Sequence, residues 1–284
     1  MMRTRRRLAY LLMMYGFGAI LLGVLLAPFG ALIMASVSSQ GELLRLPMPL
    51  WPENPSLARY HEIFTGGNES IAGALRAAMV NSLIVASACV AISLVCGALG
   101  AYAVARLRFR LKSASMLTLL LTYMMPPLAL VIPIYLALSV LGLLDTRTGL
   151  IIVYCSFTTP FMLWLLTSYF GALPVELEEA ARIDGCSRLG ALVRVVLPLA
   201  RPGLISAGLL GFLAAWDEFF YGLILTSSPA SKTIPVALSE FTGRYSLDFG
   251  LMAAGGIVAA IPPVLLAIVL QRYITSGLTA GAVK

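Results

Sequence analysis

The chain has 284 residues, of which 60% are apolar and only 12% are charged, with a net charge of +7. Soluble domains carry about 25% charged residues, so a soluble enzyme or binding module is excluded. The apolar residues fall in long runs, not in the alternation of a transmembrane β-barrel, and the scattered basic residues exclude a nucleic-acid-binding patch.

Charge-free runs cover 8–41, 77–105, 113–144, 148–175 and 249–271, and a sixth, 202–231, is interrupted only by Asp217 and Glu218. A helix needs about 20 apolar residues to cross the hydrocarbon core. The expectation is an all-α membrane protein forming one transmembrane domain. Its six transmembrane helices lie at roughly 8–36, 77–105, 114–141, 149–172, 203–227 and 249–271, with a charged loop at 173–202.

At the N-terminus, Arg3, Arg5, Arg6 and Arg7 precede an apolar run. That order imitates a secretory signal, but the run exceeds the about 7–15 residues of a signal core. A retained first span is expected, kinked by Pro28. The segment 38–76 holds Pro47, Pro49, Pro52 and Pro55, which argues for an ordered, extended cap. His61 lies there as a surface residue.

In the second span Gly97, Ala101 and Ala105 share a face, and in the sixth Gly255 and Ala259, with Gly256 and Ala260, do the same. Small faces allow close helix approach, either within this bundle or against a partner subunit. Cys89, Cys96 and Cys155 fall in spans and Cys186 in the charged loop, without metal-ligand spacing; they read as small packing residues. Met125-Pro126-Pro127, with Pro133, and Ile261-Pro262-Pro263 should bend their helices. Bent helices line cavities or are plain kinks, and Tyr123 and Met124 are candidates for such a cavity.

The charged loop 173–202 reads as a short surface helix. Pro174 suits the first turn, and Glu176, Glu178 and Glu179 follow where negative charge suits the helix dipole. Leu177, Ala180, Ala181 and Asp184 share a face. Gly185 can terminate the helix with a positive φ, and Ser187 can cap a second helix that ends before Pro198. Two alanines permit close backbone approach, which suits a cleft in another protein. A helix lying on lipid headgroups would carry cationic rows, and these are absent from 174–181.

In the fifth span Asp217 and Glu218 are adjacent acids in an apolar helix, where a carboxylate must be paired, protonated or wet. At about 100° per residue they face different ways, one toward a cavity and one toward a partner helix. Trp216, Phe219 and Tyr221 fit two roles, stacking on a ligand or packing. The loop 227–248, with Pro229 and Pro235, is long enough to touch something outside.

Positive residues mark the cytoplasmic side. With both termini inside, the inner segments hold Arg106, Arg108, Arg110 and Lys112, then Arg182, Arg188, Arg194 and Arg201, and Arg272 and Lys284 beside the N-terminal arginines. The outer segments hold only Arg45, Arg59, Arg76, Arg147, Lys232 and Arg244. Lys112-Ser113 and Lys232-Thr233 are the lysine–hydroxyl pairs, and neither follows a glycine-rich loop. A phosphate-cradling P-loop is therefore absent, as are HExxH and GxSxG. The chain is expected not to be an enzyme, and it offers no cofactor site.

The pattern Glu179-Ala180-Ala181, then Gly185, Val195 and Leu197-Pro198, resembles the coupling loop of permeases of ATP-driven importers. Three further stretches, Pro55–Phe64, Ala214–Leu225 and Gly277–Lys284, are similar to the membrane subunits of carbohydrate ABC importers of the maltose/trehalose type, in particular the six-span subunit of the permease pair. The resemblance implies a type I ABC importer permease fold with both termini cytoplasmic, in a bacterial inner membrane. It implies a second permease subunit, two copies of a cytoplasmic ATPase that bind ATP and Mg, and an extracytoplasmic sugar-binding protein. Glu178, Glu179, Ala180, Ala181, Asp184 and Gly185 would then couple to the ATPase, and Gly277, Leu278, Thr279 and Lys284 would reach it as a tail. The loop 227–248 would touch the binding protein. Trp216, Asp217, Glu218, Phe219, Tyr221, Tyr123 and Met124 are the substrate-path candidates. Asp217 departs from the family's asparagine. Two alternatives stand beside this: a permease for a polyamine, phosphate or amino acid, and an ion-coupled secondary transporter using Asp217 and Glu218.

Overall fold

The structure, a computed structural model, describes residues 2–47, 49, 51–67, 70–241 and 248–279. In chain order the helices are α1 (Met2–Val37), α2 (Gln40–Leu43), α3 (Ala58–Thr65), α4 (Ile71–Arg106), α5 (Lys112–Met124), α6 (Pro127–Val140), α7 (Arg147–Ala172), α8 (Val175–Ile183), α9 (Arg188–Leu199), α10 (Arg201–Trp216), α11 (Phe220–Leu225), α12 (Ile234–Glu240) and α13 (Phe249–Thr279). There is no strand among the described residues.

Four helical stretches, Tyr10–Val37, Ala72–Arg106, Arg147–Ala172 and Phe249–Tyr273, are each long and apolar enough to cross a membrane. Two more candidates exist only as bent pairs: α5 with α6, at 93°, and α9 with α10, at 79°. The bend at Met125 has a local cause. A residue before proline is pushed out of the α region, and Met125 has φ −65° and ψ 132°. Pro127 then occupies the first turn of α6, where its missing N–H costs nothing. The second proline pair behaves differently, because α13 runs unbroken through Pro262 and Pro263.

The chain divides into two compact units. The first comprises residues 1–75 and 238–260. Its α1 exposes large apolar side chains almost all round, among them Tyr15, Phe17, Ile20 and Val24, as a helix solvated by lipid can. Ser39 and Glu42 form a reciprocal capping box at α2. The buried Glu42 carboxylate also accepts from the Glu53 N–H at 3.1 Å and the Asn54 N–H at 3.3 Å, which orders the proline-rich cap. Arg59 donates to the Ser36 and Ser38 carbonyls and pairs with Asp248 at 3.2 Å. A Cβ on Gly250 would lie 2.1 Å from the Arg59 guanidinium carbon, so any larger residue there would displace this guanidinium. A Cβ on Gly255 would meet Leu238 and Leu75 at 2.8 and 2.9 Å. The small face of the sixth span is thus occupied within the chain.

The second unit comprises residues 76–237 and 261–284. Its core joins Ala98, Ala101 and Tyr102 of α4 to Leu166 and Phe170 of α7, Leu192 and Val196 of α9, and Ala207 of α10. In lipid such helices associate through packing and interhelical hydrogen bonds, not through water exclusion. Gly97 serves that packing, since a Cβ there would lie 3.1 Å from the Met162 Cβ and 3.2 Å from the Leu163 nitrogen. A polar seam crosses the same pair of helices: Ser93 Oγ and Thr158 Oγ1 are 2.7 Å apart, and Thr159 Oγ1 donates to Ser93 Oγ at 3.0 Å. Cys89 joins it at 3.1 Å from Thr158 Oγ1, so this cysteine is a weak hydrogen-bonding group as well as a packing one.

On the opposite end of this unit, Asp145 sits in the left-handed region with φ 55°. Its carboxylate accepts from the N–H groups of Ser227 at 2.8 Å and Ser228 at 3.0 Å, and from the Ser231 hydroxyl. Its own N–H donates to the Leu225 carbonyl at 2.9 Å. Asn81 Nδ2 donates to the carbonyls of Pro229 at 3.0 Å and Lys232 at 2.9 Å, and Arg147 Nε to that of Ala230 at 3.1 Å. Residues 227–232 are therefore a rigid knot. Burial raises the Asp145 pKa, but the Ser227 and Ser228 N–H groups and the Ser231 hydroxyl outweigh it and hold the carboxyl well below the usual carboxylate range.

Candidate coupling site

The segment after α7 begins at Pro174, which stands at the N-cap of the nine-residue α8 with Glu176 and Glu178 in the first turn. Glu178 is buried. It accepts a hydrogen bond from the Tyr102 hydroxyl and lies 3.4 Å from Arg106 Nε. That second contact is an attraction between charges without a well-formed hydrogen bond, as the two atoms have no other partner. Arg106 also donates to the Leu173 carbonyl at 2.8 Å, and Tyr102 to that of Arg188 at 3.3 Å. The Glu178 carboxylate thus ties the start of α8 to the end of α4, and Tyr102 extends the contact to the start of α9.

Because Glu178 points inward, the outward face of α8 is Glu176, Glu179, Ala180 and Ile183. Ala181 is half-buried and Leu177 is 45% exposed. Of the face expected from the sequence, Leu177, Ala180 and Asp184 are exposed and Ala181 is half-buried. Glu178, expected beside them, is instead turned inward onto Tyr102 and Arg106. Ile183, missed by the sequence reading, is 86% exposed.

Gly185 has φ 90° and closes α8 in a Schellman motif. The Cys186 N–H donates to the Ala181 carbonyl at 3.0 Å and the Gly185 N–H to that of Arg182 at 3.2 Å, the paired bonds of such a cap. Ser187 caps α9 by accepting from the Gly190 N–H at 3.1 Å. The second helix does not end before Pro198 as expected. Residues Leu192–Val196 widen into a π turn and the helix continues to Leu199. A proline ring clashes with the carbonyl four residues back, here that of Arg194, and the widened turn spans that position.

The fifth apolar run is not one helix. α10 ends at Trp216, and the Glu218 carboxylate accepts from the N–H groups of Tyr221 at 2.9 Å and Gly222 at 3.1 Å. Glu218 therefore caps α11, which corrects the expectation of two acids on one continuous helix. Asp217 is exposed in the break, and its carboxylate is unpaired among the described residues. Trp216 and Tyr221 are buried, at 3% and 5% exposure. Phe219, Tyr123 and Met124 are exposed. Tyr123 stacks on Phe161 with ring centroids 5.9 Å apart, and Phe157 stacks on Tyr221 at 6.3 Å. Phe157 and Phe161, one turn apart on α7, link the two groups of candidates and were missed by the sequence reading. Gly277, Leu278 and Thr279 lie at the end of α13, while Lys284, and 242–247 of the outer loop, lie outside the described residues.

Helices able to span a membrane, with a short outward-facing helix backed by Glu178 between two of them, define a membrane protein with a surface element presented outside its spans. Residues 71–280 match the model of the binding-protein-dependent transport system inner membrane component, and the chain belongs to that family. It is 34% identical over 253 residues to the sulfoquinovosyl glycerol transport system permease protein SmoH of Agrobacterium fabrum, covering 89% of this chain and 87% of that protein. It is 35% identical over 269 residues to the trehalose/maltose transport system permease protein MalG of Thermococcus litoralis, covering 94% and 95%. A chain in the crystal structure of a bacterial ABC transporter involved in the import of the acidic polysaccharide alginate superposes with a TM-score of 0.74 at 25% identity, covering 92% of this chain and 97% of that one. The fold is that of a type I ABC importer permease, a multi-pass inner-membrane protein.

Proposed function

We propose that the chain is the six-span permease subunit of an ATP-driven importer of oligosaccharides or glycosides. Family membership over residues 71–280 carries this reading. The sugar solute is supported by relatives named for trehalose/maltose and sulfoquinovosyl glycerol, against a polyamine, phosphate or amino acid. Both termini and α8 are cytoplasmic. A partner ATPase, present twice, binds ATP and Mg, and a second permease completes the pathway. An extracytoplasmic binding protein delivers the solute; a solved neighbour is the alginate transporter in complex with a pentasaccharide-bound periplasmic protein.

Glu179, Ala180 and Ile183 seat in the ATPase, with Asp184 and Gly185 at the rim. Closure of the ATPase dimer moves α8 as a rigid piece, since Glu178 binds it to Tyr102 and Arg106 of α4. The α9 residues Leu192 and Val196 pack with Leu166 and Phe170 of α7, so the same push reaches two spans. Asp217, Phe219, Tyr123 and Met124 border the solute path, while the buried Trp216 and Tyr221 support its walls. The test is mass spectrometry of what co-purifies with the tagged chain in mild detergent. Recovery of an ATPase, a second permease and a sugar-type binding protein is expected. A chain that purifies alone and moves solute without ATP would contradict the proposal and favour Asp217 as an ion site.

A further inference from the structure

The turn between α4 and α5 reads Arg106-Leu107-Arg108-Phe109-Arg110-Leu111-Lys112, cations alternating with apolar residues. Arg106 faces inward, on Leu173 and Glu178. Arg108, Arg110 and Lys112 are all exposed, and their side chains make no hydrogen bond or ion pair among the described residues. Between them Phe109 is 40% and Leu111 68% exposed. Leu107, Arg108, Phe109, Arg110 and Lys112 line a shallow concavity of about 450 Å³. The turn begins where the apolar stretch Ala72–Arg106 ends, and it leads into the next apolar pair. Its place is therefore the polar boundary of the bilayer, on the side of α8.

We propose that this turn binds the headgroup of an anionic phospholipid. Three unpaired cations within five residues meet the phosphodiester and its charge, and the turn itself has no acid to repel it. Phe109 and Leu111 enter the boundary with the acyl chains, the arrangement of an interfacial anchor. An acidic protein surface would use the cations but leave Phe109 and Leu111 without apolar cover, so lipid fits both halves of the pattern. The site rests only on the chain spanning a membrane, not on the solute or the ATPase.

The test counts lipids bound to the full chain by native mass spectrometry, in detergent micelles doped with phosphatidylglycerol or phosphatidylcholine. A basic residue at a membrane surface contributes a factor of about five. The wild-type chain should hold its first phosphatidylglycerol at least about tenfold more tightly than phosphatidylcholine. R108Q/R110Q/K112Q should lose that preference, R108K/R110K should keep it, and F109S/L111S should weaken it severalfold. Unchanged preference in the triple variant, or equal retention of both lipids by the wild type, would overturn the proposal. Displacement of the lipid by millimolar inorganic phosphate would also overturn it, by making the turn a site for free anions. The lysine variant guards against loss of the fold, because it keeps the charges.

Discussion

Glu178 and Glu179 are adjacent in sequence and opposite in surroundings. The first is buried against Tyr102 and Arg106, and the second is exposed. Removing one partner of a buried ion pair costs about 3–5 kcal/mol, because the other charge is stranded. Glu178→Ala should therefore lower the melting temperature of the full chain in detergent sharply. Glu179→Ala should shift it little, within about 0.5 kcal/mol. Equal melting temperatures would refute the anchoring role. Asp145 is a second side chain whose value lies in structure. Its carboxyl is held below its usual range, so its stabilising contribution is complete above the ordinary carboxylate pKa of about 3.9 and is lost as pH falls through the lower folded value. Melting between pH 5 and 8 should therefore be flat with respect to this group, and Asp145→Ala should lower it across that range. Asp217→Ala, at an exposed and unpaired acid, should not. A fall confined to one end of that range would contradict the assignment.

Among the elements, α5 and α6 carry the sharpest consequence of sequence. Pro126 forces Met125 out of the helical region and the two helices meet at 93°. The axial distance between residues 118 and 136 would be about 27 Å in a straight helix and is about 19 Å across a right-angle bend, at about 1.5 Å per residue. Spin labels at these positions should move apart in P126A/P127A, measured by pulsed electron resonance. An unchanged distance would mean that packing, not proline, sets the bend. The other proline pair shows what the sequence does not carry. Pro262 and Pro263 sit inside an unbroken α13, as Pro160 sits inside α7. A proline removes a hydrogen bond wherever it lies, but the helix ends only if the residue before it leaves the helical region. Freed carbonyls in a membrane bundle find other partners, and those partners are invisible in a linear pattern.

At the scale of the molecule, the apolar runs made the class of fold legible, because nothing else in a chain this poor in charge leaves such gaps. The Glu–Ala–Ala segment, its glycine stop and its serine cap were legible too, since caps are local chemistry. The burial of Glu178 was not. It depends on Tyr102, 76 residues away from Glu178. The knot around Asp145 escaped for the same reason, with partners 82 to 86 residues distant. In the proposed function the outward face of α8 passes the ATPase stroke to the spans. Gly185→Trp, the substitution the sequence suggests, would add strain as well as bulk, because φ there is 90° and a side chain at positive φ costs about 1–2 kcal/mol. Ala180→Trp adds bulk alone, on an exposed helical position. The decisive measurement is ATP hydrolysis and solute uptake followed together in vesicles carrying the whole complex with Ala180→Trp. The expected result is a folded, membrane-inserted chain whose uptake falls at least about tenfold, equivalent to about 1.4 kcal/mol on the transport barrier, while any remaining hydrolysis no longer responds to the binding protein. Normal uptake with normal stimulation would contradict it.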